Sequence, residues 1–308
     1  MKPAILLTEP LVPNDIMDAL HQRFTVLRHW LGEADAAVEA MATTGGKGAS
    51  RALMDQLPAL KLISVYGVGV DAVDLEAAKA RAIQVTNTPD VLTEDVADLA
   101  VALWLACARD VVRGDRLIRR GGWLQGGLAS TTSTRGRRVG FYGFGRIGRA
   151  IARRLEVFDA KISYHKPTPL AGGAGHLYGY RDSLLELATH SDVLMVCTAL
   201  TPATRLSVTD AVLRALGPKG ILVNIARGAV IDEAALVTCL QDGGLGAAAL
   251  DVFAHEPQVP EALWTLDNVV LTPHIGSNTI ETRRAMGRLV IDNLSAHFQG
   301  RPLLTPVI

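Results

Sequence analysis

The 308-residue chain has little material for crosslinking: Cys107, Cys197 and Cys239 stand far apart among apolar neighbours. An odd count without metal-ligand spacing excludes a disulfide framework and a zinc site, and fits free buried thiols in a reducing compartment. Net charge is also missing, because 31 Lys and Arg balance 31 Asp and Glu. With no net field to draw a polyanion and only 5% aromatic residues for base stacking, a nucleic-acid role is disfavoured. Long hydrophobic runs are absent too. The longest, Leu99–Ala108, is half of what a membrane span requires, and Ala4–Leu7 is too short for a signal-peptide core. The expectation is a cytoplasmic protein with no membrane partner and no resident metal.

What is present is apolar mass. Hydrophobic residues make up 49% of the chain, which excludes intrinsic disorder, and a chain of this length at roughly 150 residues per domain points to two domains. No internal repeat is visible, and the small glycine cluster Gly172–Gly175 is the sole low-complexity stretch.

Short apolar runs alternate with helical patterns in two sets. The first has strands at Ala4–Thr8, Thr25–Arg28, Leu60–Tyr66 and Ile83–Thr86, with helices around Asp15–Arg23, Ser50–Leu57 and Asp74–Arg81. The second has strands at Val139–Tyr142, Ile162–Tyr164, Val193–Cys197, Ile221–Ile225, Ala248–Val252 and Val269–Thr272. Strands separated by single helices mean βαβ units and parallel sheets, and nearly all-apolar strands are those buried on both faces. Two helical segments connect the sets: one within Thr93–Arg120, apolar at its centre, and one over Ile280–Gln299, stopped by Gly300. The latter is expected to pack back onto the first domain, splitting it between the chain ends.

Directly after Val139–Tyr142 comes Gly143-Phe144-Gly145-Arg146-Ile147-Gly148, opening the helix Arg149–Phe158. The pattern alone is weak, but a strand before it and a helix after it make a phosphate-binding turn. The first glycine allows the tight turn, the second lets a pyrophosphate approach the backbone, and the third lets helix and strand pack closely. An NAD-selective site places a carboxylate at the end of the next strand. Here that strand runs into His165, Lys166, Pro167 and Thr168, and Asp159 comes too early. A solvated loop lysine is the ordinary alternative. A missing acid with a cation in its place points instead to a 2′-phosphate.

Three later strand ends carry unusual residues. Ile221–Ile225 leads to Arg227, Ala248–Val252 holds Asp251 and leads to Glu256, and Val269–Thr272 leads to His274. Singly, each has a structural reading: a surface ion pair for Arg227, a helix-start carboxylate for Glu256, a satisfied core imidazole for His274. Together, beyond the carboxyl ends of one sheet, they form an acid–base set.

At this point the chain resembles the D-isomer-specific 2-hydroxyacid dehydrogenase family, from about Leu60 to the C-terminus. The resemblance rests on Val68-Gly69-Val70-Asp71, Gly143–Gly148, Ala226-Arg227-Gly228, Leu250-Asp251-Val252-Phe253 with Glu256-Pro257, and Pro273-His274-Ile275-Gly276-Ser277. Within the family, Thr86–Asp98 most resembles the glyoxylate/hydroxypyruvate and hydroxyphenylpyruvate reductases. The resemblance implies an α/β protein of two doubly wound parallel-sheet domains: a Rossmann-type cofactor domain over residues 96–280, and a smaller flavodoxin-like substrate domain over 1–95 and 281–308.

It also implies roles. His274 is the general acid toward the keto oxygen, Glu256 stabilises its imidazolium, and Arg227 holds the substrate carboxylate while polarising the carbonyl. Backbone N–H groups of Val68, Gly69 and Val70 surround that carboxylate. Gly143, Gly145, Arg146, Ile147, Gly148, His165, Lys166, Thr168, Asp251 and Gly276 form the cofactor set, with a structural strand-end role the alternative for Asp251. NADP-using relatives usually carry an Arg after the second strand, whereas this chain offers Lys166.

The activity implied is NADPH-dependent reduction of a 2-keto acid (glyoxylate, hydroxypyruvate or an aryl pyruvate) to the D-2-hydroxy acid, with NADH also accepted. The alternatives are an NAD-linked D-2-hydroxyacid dehydrogenase of other substrate, a dinucleotide-sensing co-regulator and a phosphite dehydrogenase. A homodimer is expected through the apolar helix Leu99–Ala108 and the arm to Trp123. In related reductases a Trp on this arm reaches the partner's active site, which would make Trp123 a substrate contact in trans.

Overall fold

A computed structural model describes residues 2–171 and 178–308; the glycine cluster Gly172–Gly175 lies outside the described residues. The chain divides into two compact units, Met1–Leu92 with Ser277–Ile308, and Thr93–Gly276.

The first unit holds five strands: β1 (Ala4–Leu7), β2 (Thr25–Arg28), β3 (Ala40–Thr44), β4 (Leu62–Tyr66) and β5 (Gln84–Thr86). Every pairing is parallel, in the order β2-β1-β3-β4-β5, which is the flavodoxin-like arrangement. Strand β3 has no local signature of its own. Ala40-Met41-Ala42 favours helix locally, yet this strand is buried along Ala40–Thr43 and pairs with both β1 and β4. Burial between two neighbours overrides a weak intrinsic preference. Helices α1 (Asn14–Arg23), α2 (Arg51–Asp55) and α3 (Leu75–Ala80) connect the strands. The Ser50 hydroxyl caps α2 by accepting the Leu53 N–H (3.2 Å), and Asp74 caps α3 by accepting the Ala77 N–H (2.8 Å). The C-terminal helix Ile280–Phe298 belongs to this unit and packs on α1 and β4, with the Phe24 and Phe298 rings 5.9 Å apart.

The second unit holds β6 (Arg138–Tyr142), β7 (Lys161–His165), β8 (Gly179–Tyr180), β9 (Val193–Val196), β10 (Ile221–Asn224), β11 (Ala247–Leu250) and β12 (Val269–Leu271). All pairings are parallel, in the order β12-β11-β10-β9-β6-β7-β8. Counted from β6, this is the doubly wound dinucleotide-binding order with one further strand at the edge. Edge strand β8 is too short to have left a pattern in the sequence.

The stretch Thr93–Arg120 forms two helices rather than one, α4 (Thr93–Ala108) and α5 (Val111–Arg119), broken where Asp110 takes φ +52°. Helix α4 buries Val96, Ala97, Ala100, Leu103, Trp104 and Cys107 against β10, β11 and the helix that follows β6. Within the apolar run Leu99–Ala108, Ala100, Leu103, Trp104 and Cys107 are therefore core of their own unit, while Leu99, Val101, Leu105, Ala106 and Ala108 are half-buried. No residue of helix α5 is fully buried, and Val112, Gly114 and Leu117 are half-buried. No helix among the described residues is long and apolar enough to cross a membrane.

Candidate active site

The glycine turn leaves β6 and starts α6 (Arg146–Leu155). Gly143 takes φ +84°, and a Cβ there would stand 2.6 Å from backbone atoms of Thr198, so no other residue fits. Gly145 differs. No atom lies within 4 Å of where its Cβ would be, so the packing of the chain does not require the glycine. It caps the N-terminus of a ten-residue helix and leaves open space over first-turn N–H groups. Arg146 follows as the first helical residue, where a cation opposes the helix dipole unless an anion is nearby. These features fit the pyrophosphate of a dinucleotide.

Beyond β7, His165 stacks on Tyr142 (centroids 6.0 Å apart, planes at 20°), and its Nδ1 donates to the Arg181 carbonyl at 2.9 Å. The Lys166 carbonyl accepts from the Tyr180 hydroxyl at 3.3 Å, and among the described residues no carboxylate pairs with the Lys166 ammonium. Thr168 is exposed. Asp159 sits at the turn before β7 and is held by Arg135.

The ends of β10, β11 and β12 meet in a hydrogen-bonded cluster. The His274 Nδ1 stands 2.7 Å from Glu256 Oε2, although 18 residues separate them. An ionised carboxylate only accepts, so Nδ1 carries the proton and Nε2 faces away from Glu256. Glu256 also accepts the Phe253 N–H at 3.0 Å. Partial burial alone would raise its carboxyl. The bonds from His274 and Phe253, with the charges of His274 and Arg227, outweigh that and hold it below the usual carboxylate range.

His274 takes φ +52°, uncommon for a residue other than glycine though less so for histidine than for most, and Asp251 holds it there. The Asp251 carboxylate is buried. It accepts from Ile275 N–H (2.8 Å), Gly276 N–H (2.9 Å) and the Thr272 hydroxyl (2.7 Å), while its carbonyl accepts the His274 N–H (2.9 Å). Burial raises the Asp251 carboxyl further than these bonds lower it. Asp251 and Gly276 thus support the His274 loop, and both are enclosed.

Arg227 is held through Asn224, which the sequence reading passed over. Buried Asn224 donates to the Arg227 carbonyl (3.0 Å) and accepts the Ala226 N–H (3.0 Å). Gly228 follows, where a Cβ would fall 1.9 Å from the Phe253 carbonyl carbon. A polar residue ending an otherwise apolar strand was the available signal for Asn224. The close approach at Gly228 had none.

Val68, Gly69 and Val70 lie in the first unit, after β4. Asn87 donates to the Val68 carbonyl at 2.9 Å, and the Thr88 hydroxyl accepts the Gly67 N–H at 3.0 Å. Among the described residues the N–H groups of Val68, Gly69 and Val70 have no acceptor, a run of free donors that suits an anion. Trp123 stands in a short 3-10 turn, Gly122–Gln125, and is 67% exposed.

The profile of the D-isomer specific 2-hydroxyacid dehydrogenase NAD binding domain matches residues 101–276. The chain is 47% identical over 297 residues to the hydroxyphenylpyruvate reductase of Plectranthus scutellarioides, covering 94% of each chain. Identity and coverage are the same with glyoxylate/hydroxypyruvate reductase A of Arabidopsis thaliana: 47% over 297 residues, 94% of each. Among solved structures, the NADPH-dependent glyoxylate/hydroxypyruvate reductase from Sinorhizobium meliloti, in complex with NADP and malonate, superposes with a TM-score of 0.91. It is 43% identical, with 100% of this chain and 97% of that one covered.

Proposed function

The chain belongs to the D-isomer-specific 2-hydroxyacid dehydrogenase family, and from that premise we propose that it reduces a small 2-keto acid to the D-2-hydroxy acid, using NADPH in preference to NADH. It is an oxidoreductase with an NAD(P)-binding domain; substrate and cofactor preference are the proposal. The observation that carries it is the 2.7 Å bond between His274 and Glu256.

When bound, the reduced nicotinamide supplies the hydride. The chain's own residues do the rest. Protonated His274 gives the Nε2 proton to the keto oxygen, while Glu256, bonded at Nδ1, fixes the ring. Arg227 holds the carboxylate and draws electron density from the carbonyl, and in the other unit the free N–H groups of Val68, Gly69 and Val70 are donors of the kind a carboxylate takes. Asp251 and Gly276 position His274.

The turn Gly143–Gly148 with Arg146 and Ile147 takes the pyrophosphate. His165, Lys166 and Thr168 take the 2′-phosphate, where a carboxylate would have repelled it. The NADPH-dependent glyoxylate/hydroxypyruvate reductase from Sinorhizobium meliloti, solved in complex with NADP, supports the cofactor choice, and the two plant reductases support the keto acids tested. The experiment is a steady-state screen of glyoxylate, hydroxypyruvate and 4-hydroxyphenylpyruvate with NADPH and NADH. Turnover of none of them removes the proposal.

A further inference from the structure

A trans peptide points its C=O and its N–H in opposite directions, so fixing one carbonyl aims the N–H of the next residue. The loop after β4 uses this twice, entirely within the first unit. The Thr88 N–H donates to the Gly67 carbonyl at 2.9 Å, which turns the Val68 N–H away from the end of β5. The Asn87 side-chain amide donates to the Val68 carbonyl at 2.9 Å, which turns the Gly69 N–H away from Asn87. Val68 is exposed and Gly69 and Val70 are half-buried, so this stretch is open to a ligand. Asn87 is anchored in turn by the end of the chain, which lies antiparallel along β5. The Val307 N–H donates to the Val85 carbonyl (2.7 Å), and the Asn87 N–H donates to the Thr305 carbonyl (3.3 Å). The Thr305 hydroxyl donates to the Asn87 carbonyl at 2.6 Å and accepts from the Asn293 amide at 3.0 Å. Asn293 is fully buried in the C-terminal helix and also accepts the Leu304 N–H at 2.9 Å. A polar chain thus runs from Asn293 through Thr305 and Asn87 to the Val68 carbonyl, and none of its side chains has a part in the chemistry above.

We propose that Asn87 is a positioning residue for substrate binding: through the Val68 carbonyl it aims the Gly69 N–H at the substrate carboxylate, and the C-terminal residues Thr305–Ile308 hold Asn87 in place. This rests on the reading of the protein as a 2-keto acid reductase. A donor already aimed needs no ordering when the anion arrives, whereas a loose peptide has to be ordered at the expense of affinity. Asparagine suits the position because its Nδ2 donates to a carbonyl. An aspartate of the same shape only accepts, and it would repel both the Val68 carbonyl and an incoming carboxylate. The end of the chain then contributes to substrate affinity without touching the substrate.

The test compares wild type, Asn87→Leu and Thr305→Val. It measures KM and kcat at saturating NADPH for whichever of the three keto acids the wild type reduces fastest. It also measures the Kd of NADPH and of oxamate, a 2-keto acid mimic that cannot take the hydride. Loss of one aligned donor predicts that Asn87→Leu raises KM and the oxamate Kd about fivefold or more. Its kcat should stay within about threefold. The NADPH Kd should not change, since the glycine turn belongs to the other unit. Thr305→Val keeps the shape and loses the hydroxyl, so it should move KM and the oxamate Kd the same way by about two- to threefold. It carries the test by itself should the leucine variant not fold. The backbone amide resonance of Gly69 reads the donor directly: oxamate should shift it in wild type and shift it less in both variants. A purely structural role lowers the urea midpoint and leaves KM and the oxamate Kd at wild-type values, and that result overturns the assignment. Equal weakening of oxamate and NADPH overturns it too. A wild type that reduces none of the keto acids removes the reductase reading itself, a result distinct from an active enzyme whose variants keep their KM.

Discussion

Gly228 and Phe253 approach so closely that a Cβ on the glycine would fall 1.9 Å from the Phe253 carbonyl carbon. Gly228 follows Arg227, and Phe253 gives its N–H to Glu256. The contact therefore locks the loop carrying the arginine against the loop carrying the carboxylate. The nearest atoms, from Phe253 and Ala254, are all backbone and cannot rotate away. Gly228→Ala should lose about 1–3 kcal/mol of stability, as overpacked cores do, and turnover with it. Urea unfolding and kcat measured together check this; wild-type values for both would contradict it.

His274→Ala should keep its affinity for NADPH while kcat falls by a factor of about 100 or more, because a positioned proton donor is removed and a binding group is not. Cofactor fluorescence titration and single-substrate kinetics separate the two effects. Turnover above about a tenth of wild type would remove His274 from the chemistry.

Glu256 gives a pH signature. Its folded pKa lies below the ordinary carboxylate value, so its stabilising interactions are present above that ordinary value and are lost as pH falls through the lower, folded one. The stability difference between wild type and Glu256→Gln should be constant from neutral pH down to the usual carboxylate range and shrink only below it. Urea midpoints across a pH series measure this. A gap that closes already near neutral pH contradicts it.

Cofactor choice rests on Lys166. A partly exposed lysine against a 2′-phosphate contributes on the order of 1–2 kcal/mol, roughly a 5- to 30-fold preference for NADPH. A point charge without Arg's fork should also lose that preference as salt rises. The ratio of kcat/KM for NADPH and NADH at two salt concentrations, in wild type and Lys166→Ala, decides it. A wild type preferring NADH, or a ratio unchanged in the variant, defeats this reading of the loop.

Over Thr93–Gln125 the most exposed apolar side chains are in α5 and the turn after it. Val111 is 57% exposed, Ile118 59%, Trp123 67% and Leu124 96%. Such a patch is expected to be covered by a second copy, with Trp123 reaching the partner's substrate. Light scattering should give twice the 32.8 kDa of one chain, and Ile118→Glu with Leu124→Glu should halve it. A wild-type mass of one chain rules the dimer out.

Local signals were readable where a short stretch had to meet one demand by itself. The glycine turn could be found because strand end, turn and helix start are contiguous, so spacing alone encodes the geometry. The C-terminal helix Ile280–Phe298 followed from apolar periodicity and a glycine stop. Strand β3 could not be read, since Ala40-Met41-Ala42 becomes a strand only through two neighbours far off in sequence. The break at Asp110 was hidden for the opposite reason: the residues on either side both favour helix.

The sequence by itself determined the alternation of strands and helices, the parallel sheets that follow from it, and which residue types stand at the strand ends. These depend on periodicity and on the stereochemistry of short segments. Tertiary structure alone decided that Glu256 meets His274 at Nδ1, that Asp251 spends its carboxylate on the loop of His274, that Asn224 holds Arg227, and that Asn87 holds the Val68 carbonyl. Each is a contact between residues on different elements or loops. Whether a polar group is satisfied or left open depends on which atoms the folded chain brings within about 3 Å of it, and no local pattern specifies that.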